Sequence, residues 1–119
     1  MEQGDDVVIW HNPRCSKSRA TLALLEERGI RPRVRRYLDE PPTEDEIRAV
    51  LAALGRPAAA LLRTKEPEAK ALGLGPDSPE EQIIAALAAH PRLIERPVVI
   101  RGGRARIGRP PEAVLEILD

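Results

Sequence analysis

The chain of 119 residues is long enough for one ordinary domain that buries its own core. Its 19 basic and 19 acidic side chains cancel and only 2% of its residues are aromatic, which argues against a strongly basic or base-stacking nucleic-acid surface. No apolar run approaches the roughly 20 residues of a membrane span and the acidic start is unlike a signal peptide, so we expect a cytoplasmic protein that contacts neither nucleic acid nor membrane.

Cysteine and histidine content bounds the chemistry further. The chain has one Cys and two His. A single thiol cannot form an internal disulfide, and so few ligands do not make a zinc site. We therefore expect no bound metal or cofactor, and any redox chemistry at Cys15 needs a second thiol from outside the chain.

The first forty residues have the pattern of a βαβ unit. The apolar run Val7–Trp10 predicts a buried strand that ends at a His-Asn-Pro loop. Helical spacing of apolar residues begins at about Ser16 and stops at Gly29, which is a suitable residue to end a helix. Alternation over residues 33–38 predicts a second strand.

The middle of the chain predicts helices only. Thr43 and Glu46 have the spacing of a capping box ahead of an apolar stripe, which predicts the start of a helix. Shorter helices are expected over about 58–62 and 68–72, and a longer one over about 79–89.

Strand patterns return near the end. Residues 97–101 and 104–107 flank Gly102-Gly103, which predicts a β-hairpin with a primed two-residue turn. Residues 111–118 predict a closing helix. The order βαβ, helices, ββα is that of the α/β thioredoxin-like class, and we predict one such domain over residues 1–119 with a helical insertion at about 43–92.

Cys15 is the strongest candidate for chemistry. It is expected where the first strand passes into a helix, and there free backbone N–H groups and the helix dipole favour a thiolate. An isolated cysteine is more often a small buried hydrophobe. Its polar neighbours Arg14, Ser16 and Lys17 favour the nucleophile instead.

Other candidates surround this thiol or stand at element boundaries. Ser18 occupies the place of the second cysteine in a dithiol protein, and His11 either tunes Cys15 or is an ordinary loop histidine. Arginine binds oxyanions with a planar, permanently charged group. Three arginines at boundaries beside apolar sequence are candidates for such a site, although composition alone does not select them: Arg63, Arg96 and Arg109.

Five motifs, in order over about 8–118, carry a resemblance to a known family. They resemble the glutaredoxin-linked arsenate reductases. The motifs are His11-Asn12-Pro13-x-Cys15-x-x-Ser18-Arg19, Tyr37-Leu38-x-x-Pro41-Pro42-Thr43, Leu61-Leu62-Arg63, Arg96-Pro97-Val98-Val99 and Arg109-Pro110-Pro111-Glu112.

The resemblance implies a thioredoxin-like fold, a reaction and a site. The cysteine matching Cys15 attacks arsenate, glutathione forms a mixed disulfide with it, glutaredoxin clears that disulfide, and the cycle releases arsenite. The proline matching Pro97 is cis. The resemblance further implies that arginines matching Arg63, Arg96 and Arg109 hold the oxyanion and that the positions of His11, Asn12, Ser18 and Arg19 support the thiolate and the anion pocket.

Two other functions stay open. Ser16-Lys17 stands where the best-characterised members carry small residues such as Gly-Thr, and a glutathione-linked thiol oxidoreductase without arsenate activity is one alternative. The other is a regulator of the Spx type, which shares the fold and binds RNA polymerase. Those regulators usually carry Cys-x-x-Cys, whereas this chain has Cys15-x-x-Ser18.

Overall fold

The structure, a computed structural model, describes residues 7–118. The chain divides into two compact units, which we call the sheet unit, up to Glu40 and again from Arg96, and the helical unit, Pro41–Glu95. The acidic start, residues 1–6, which contributed to the expected compartment, lies outside the described residues. The organisation as one domain with an insertion at 43–92 stays a prediction.

Four strands form the sheet of the sheet unit, in the order β2-β1-β3-β4. Strand β1 pairs in parallel with β2 and antiparallel with β3, and β3 pairs antiparallel with β4. The predicted hairpin is confirmed, and its first turn residue, Gly102, has a φ of 60°, as a type II′ turn requires. The strands are β1 Val7–Trp10, β2 Arg33–Arg35, β3 Val98–Arg101 and β4 Arg104–Ile107.

The second strand is shorter than predicted. It ends at Arg35 rather than at residue 38. The backbone N–H groups of Asp39 and Glu40 both donate to the Arg36 carbonyl at 2.9 Å. This turn takes the chain away from β1, so the apparent alternation over 36–38 was not strand pairing.

Two helical segments pack with the sheet unit. Helix α1, Ser16–Glu27, buries Ser18, Thr21 and Leu25 at helical spacing. The predicted closing helix exists as a 3-10 helix, Pro111–Ile117, in which residues three apart share one face. Its buried residues Val114 and Ile117 are three apart and join the core that Val7, Ile9, Leu25 and Val99 form.

Two proline peptide bonds in the sheet unit are cis. The bond between Arg96 and Pro97 is cis, which confirms the expectation from the family resemblance. The bond between Arg109 and Pro110 is also cis. This second cis bond was not predicted from the sequence.

The helical unit begins with the capping box predicted from its sequence. Glu46 N–H donates to Thr43 Oγ1 at 3.1 Å, and Thr43 N–H donates to Glu46 Oε1 at 2.8 Å. Leu62 forms an isolated antiparallel bridge with Ile94, so the prediction of a purely helical segment was wrong at that point. The helices are α2 Glu44–Leu54, α3 Pro67–Ala71 and α4 Glu80–Ala89, with 3-10 helices Ala58–Leu61 and Pro91–Leu93.

Candidate active site

Cys15 is the N-cap residue of α1, as its sequence position predicts. Its backbone is extended, with φ −95° and ψ 123°, and its side chain makes no capping hydrogen bond. A tight turn holds it, because its N–H donates to the Asn12 carbonyl at 3.0 Å. The residue is 8% exposed and lies outside the core cluster that includes Val7, Ile9 and Leu25. As the N-cap residue it lies at the positive end of a helix.

Arg109 is the charged side chain that contacts the thiol. Its Nη2 lies 3.7 Å from Cys15 Sγ, and its Nε donates to the Arg96 carbonyl at 2.8 Å. The contact places a permanently charged donor directly at the sulfur atom. The structure therefore brings together two of the catalytic residues suggested by the sequence.

Arg96 carries a polar side-chain atom that is buried. Its Nε has no hydrogen-bond partner among the residues the structure describes. A buried donor without an acceptor is costly, and the cost is larger for a charged group. The Arg96 carbonyl also orients Arg109. The residue with the donor that is unpaired within residues 7–118 therefore holds the guanidinium that contacts Cys15 Sγ.

Gly108, directly before Arg109, allows the backbone to approach Thr21 and Pro97 closely. A Cβ at Gly108 would lie 2.6 Å from Thr21 Oγ1 and 2.8 Å from Pro97 Cγ, both too short for a real contact. The Gly108 N–H also donates to the Pro97 carbonyl at 2.9 Å. Sequence reasoning missed Gly108 and Thr21. The signal that marks Gly108 is a glycine directly before a candidate arginine.

His11 and Ser18 form a buried polar pair that joins the loop before Cys15 to α1. His11 Nδ1 lies 2.7 Å from Ser18 Oγ, and the Asn12 N–H donates to the same oxygen at 3.0 Å. Burial, and then the positive charges of Arg36 and Arg19, lower the pKa of His11 below its ordinary value. His11 is therefore a neutral imidazole at neutral pH that fixes the loop through Ser18.

Asn12 and Arg19 brace the same loop, which we call the thiol loop, residues 11–15. Asn12 Oδ1 accepts from the Arg14 N–H at 2.9 Å, and Arg19 Nη1 donates to the Pro13 carbonyl at 2.9 Å. These contacts are within the loop and its helix. The contribution of His11, Asn12, Ser18 and Arg19 to substrate binding stays a prediction.

Arg63 lies in the helical unit, bound to two carboxylates. Its Nη1 donates to Glu95 at 3.1 Å and its Nε donates to Glu66 at 3.2 Å. The side chain is 23% exposed. These partners hold the guanidinium in one orientation, and its role at an oxyanion stays a prediction.

A cleft borders the thiol loop. It has a volume of about 250 Å³. Arg36 and Asp39 at its wall form an ion pair of 3.3 Å. This cleft was not predicted from the sequence, because it forms only when the loop after β1 and the turn after β2 meet. It is lined by His11, Asn12, Pro13, Arg14, Arg36, Leu38 and Asp39.

Metal-binding clusters and membrane-spanning helices are both absent from the described part of the chain. Within residues 7–118, no group of three or more His, Cys, Asp or Glu side chains is placed to hold a metal ion. None of the helices described there is long and apolar enough to cross a membrane.

The sheet order, with a thiol at the start of the first helix, defines a mixed α/β protein of the thioredoxin-like class, which confirms the fold class predicted from the sequence. The chain belongs to the ArsC family, whose model matches residues 10–117. This membership confirms the family resemblance.

Relatives cover almost the whole chain. A Neisseria meningitidis protein named arsenate reductase is 45% identical over 115 residues, which is 95% of this chain and 98% of that protein. An Escherichia coli protein, YfgD, described as uncharacterized, is 51% identical over 114 residues, or 94% and 96% of the two chains. The solved structure of an arsenate reductase from Vibrio cholerae is 51% identical and has a TM-score of 0.90 over 94% of this chain and 97% of its own.

Proposed function

We propose that the protein is an arsenate reductase that uses Cys15 as its nucleophile and glutathione and glutaredoxin as external thiols. One observation carries the proposal: the Arg109 guanidinium lies 3.7 Å from Cys15 Sγ and takes its orientation from the backbone of Arg96, whose own buried Nε has no acceptor within residues 7–118. A tetrahedral oxyanion supplies the missing acceptor. Relatives named arsenate reductase, at 45% identity and above, support the choice of arsenate.

Binding of the anion is the first step. Arg96 and Arg109 present planar, permanently charged donors to the arsenate oxygens, next to the N–H groups at the start of α1. The same donors attract phosphate, which has the same shape and charge. Arg63 is included in the anion site because of its family motif alone, and its ion pairs keep the side chain oriented.

Attack on arsenic is the second step. The Cys15 thiolate forms a bond to As(V), and one arsenate oxygen leaves as water after taking up two protons. Arginine donors on the remaining oxygens stabilise the charge that builds up as the bond forms. Arsenic stays As(V) in this adduct, so no electron has yet been transferred. Phosphate has no equivalent reduction to follow, and discrimination between the two anions falls to the next step.

Reduction is the third step and needs a second thiol. The glutathione thiolate attacks Cys15 Sγ, the sulfur–arsenic bond breaks, and its electron pair goes to arsenic, which leaves as arsenite. The two thiols are oxidised to one mixed disulfide as As(V) becomes As(III). Glutaredoxin then takes the glutathione by thiol–disulfide exchange and frees Cys15. The proposal places this cycle in the cytoplasm, where the glutathione pool keeps thiols reduced.

A coupled assay tests the proposal. NADPH consumption is followed with purified protein, glutathione, glutaredoxin and glutathione reductase, with and without arsenate. We expect arsenate-dependent turnover in the wild type and none in Cys15→Ser, which replaces sulfur by a poor nucleophile of similar size. Arsenate-independent turnover of glutathione disulfides would point instead to a general thiol oxidoreductase. Absence of any turnover, with RNA polymerase recovered on the purified protein, would point to a regulator.

A further inference from the structure

The cleft beside the thiol loop has the charges of a site for a zwitterionic ligand. Two arginines, Arg14 and Arg36, and one carboxylate, Asp39, line it. Leu38 adds an apolar surface and is 39% exposed. The lining therefore offers two positions for carboxylates, one for an ammonium group and one for hydrocarbon.

These charged groups are available to a ligand. The Arg36–Asp39 pair is 3.3 Å long, and its side chains are 61% and 66% exposed. Exposed pairs of this kind contribute little to stability, so a ligand carrying both charges exchanges with the pair at small cost. The guanidinium of Arg14 makes no hydrogen bond or ion pair with any residue in the described range 7–118.

The cleft is tied to the nucleophile through the backbone. Its wall includes Asn12, Pro13 and Arg14, which directly precede Cys15. The Cys15 N–H donates to the Asn12 carbonyl, and the Arg14 N–H donates to Asn12 Oδ1. A ligand held by this turn therefore contacts the residues that directly precede Cys15 in the chain.

We propose that this cleft is the docking subsite for the peptide thiol of the third step, with Arg14 and Arg36 binding the two carboxylates of glutathione and Asp39 binding its ammonium group. The inference rests on the proposed function, because it identifies where the co-substrate of that reaction binds. Glutathione has two carboxylates and one ammonium group, which matches the two cations and one anion of the cleft. The subsite positions the thiol and takes no part in bond making.

Thiol selectivity provides the first test. Arsenate turnover is measured with glutathione and with 2-mercaptoethanol, a thiol that has no charge to bind. We expect the preference for glutathione, as a ratio of kcat/KM values, to fall about tenfold in Arg14→Gln and in Arg36→Gln, mainly through the KM for glutathione. Arg33→Gln removes an exposed cation of β2 that does not line the cleft, and it should keep the wild-type ratio.

A modified substrate shows whether the lost contact is to a carboxylate. Glutathione monoethyl ester lacks one carboxylate, so the wild type should use it about tenfold less well than glutathione. One of the two arginine variants should then show little further loss with the ester, because its partner is already absent. Equal thiol preference in wild type, Arg14→Gln and Arg36→Gln would overturn the proposal.

A third experiment measures ligand binding without catalysis. S-methylglutathione, which has no free thiol, is titrated into the wild-type protein while the ring resonances of its two histidines are followed by NMR. We expect the His11 signals to move and those of His90, in the helical unit, to stay. The His11 shift should vanish in Arg36→Gln. Movement of both histidines, or of neither, would contradict the subsite.

These experiments distinguish failure of the arsenate reductase proposal from failure of the glutathione subsite proposal. If the wild type does not reduce arsenate but S-methylglutathione still moves His11, the arsenate proposal fails and the subsite stands. If arsenate is reduced with the same thiol preference in all variants, the subsite is wrong and the reductase proposal stands.

Discussion

The sheet unit buries polar side chains, whereas the helical unit buries apolar ones. Among the described residues, the buried polar side chains are His11, Ser18 and Thr21, and all three lie in the sheet unit, in the thiol loop and α1. The buried side chains of the helical unit are apolar, for example Ile47 and Leu87. Burial of polar groups costs free energy, so a concentration of them marks the part of the molecule that is arranged for chemistry.

Arginines show the same contrast. In the helical unit, Arg48 pairs with Glu44, Asp45 and Glu81. Near the thiol, Arg109 instead donates to a backbone carbonyl and to Sγ, and Arg19 donates to a backbone carbonyl. Near the thiol, arginines therefore hold backbone segments in place through their carbonyl groups. In the helical unit, Arg48 joins α2 to α4 through Glu81.

Among the changes that test this contrast, replacement of Arg109 should have the largest effect on arsenate turnover. Arg109→Lys keeps the charge but loses the planar fork that reaches both Cys15 and the Arg96 carbonyl. We expect arsenate kcat/KM to fall roughly 100-fold with little change in unfolding midpoint, because the side chain is exposed. Arg104→Lys, also exposed, is the control and should keep activity. An unchanged rate in Arg109→Lys would show that the contact with sulfur has no catalytic role.

Gly108 tests the close approach behind Arg109. In Gly108→Ala the new methyl group meets Thr21 and Pro97 at 2.6 and 2.8 Å, and we expect a loss of about 2 kcal/mol in the free energy of unfolding. Arsenate turnover should fall as well, since Arg109 is displaced. Gly75→Ala places its methyl group in open space and should be nearly neutral in a urea titration. Equal stability of the two variants would contradict the crowding argument.

A capping change in the helical unit should affect stability alone. Thr43→Ala removes the side-chain acceptor of the capping box and should cost about 1 kcal/mol in thermal or urea unfolding. Thr43→Ser keeps the hydroxyl and should restore most of that loss. We expect the arsenate KM of both variants to match the wild type; a raised KM would mean that the helical unit tunes the site.

The smallest effect is a pH dependence from His11. Its pKa is lowered from 6.5 in the folded state, so the unfolded chain takes up a proton first as pH falls. The stabilising contribution is fully present above about pH 6.5 and is lost as pH falls through the lowered pKa. In His11→Asn, urea midpoints between about pH 8 and pH 5 should fall less steeply than in the wild type. If the urea midpoints of both proteins fell equally with pH, groups other than His11 would cause the loss of stability in acid.

Local signals explain what the sequence predicted well. The capping box at Thr43 and Glu46 predicted α2, and the apolar run before a polar loop predicted β1 and placed Cys15 at the start of α1. Each of these signals lies within a few neighbouring residues. The cis bond before Pro97 came from the family resemblance, since local sequence does not determine it.

Features that depend on distant contacts were wrong or missed. Alternation extended β2 beyond Arg35, where a backbone turn ends it, and apolar spacing did not distinguish an α-helix from the 3-10 helix Pro111–Ile117. The contact of Gly108 with Thr21 joins residues far apart in the chain. The cleft likewise needs the pairing of β1 with β2 before its walls meet.

Intact-protein mass spectrometry tests the central claim most directly. The wild-type protein is incubated with arsenate and glutathione but without glutaredoxin, so the cycle stops after its third step. The account predicts one glutathione attached through a disulfide at Cys15, formed with arsenate, absent with phosphate, and accompanied by one arsenite per protein. Equal glutathionylation with arsenate, with phosphate and with neither would contradict it, because the thiol would then react without the oxyanion.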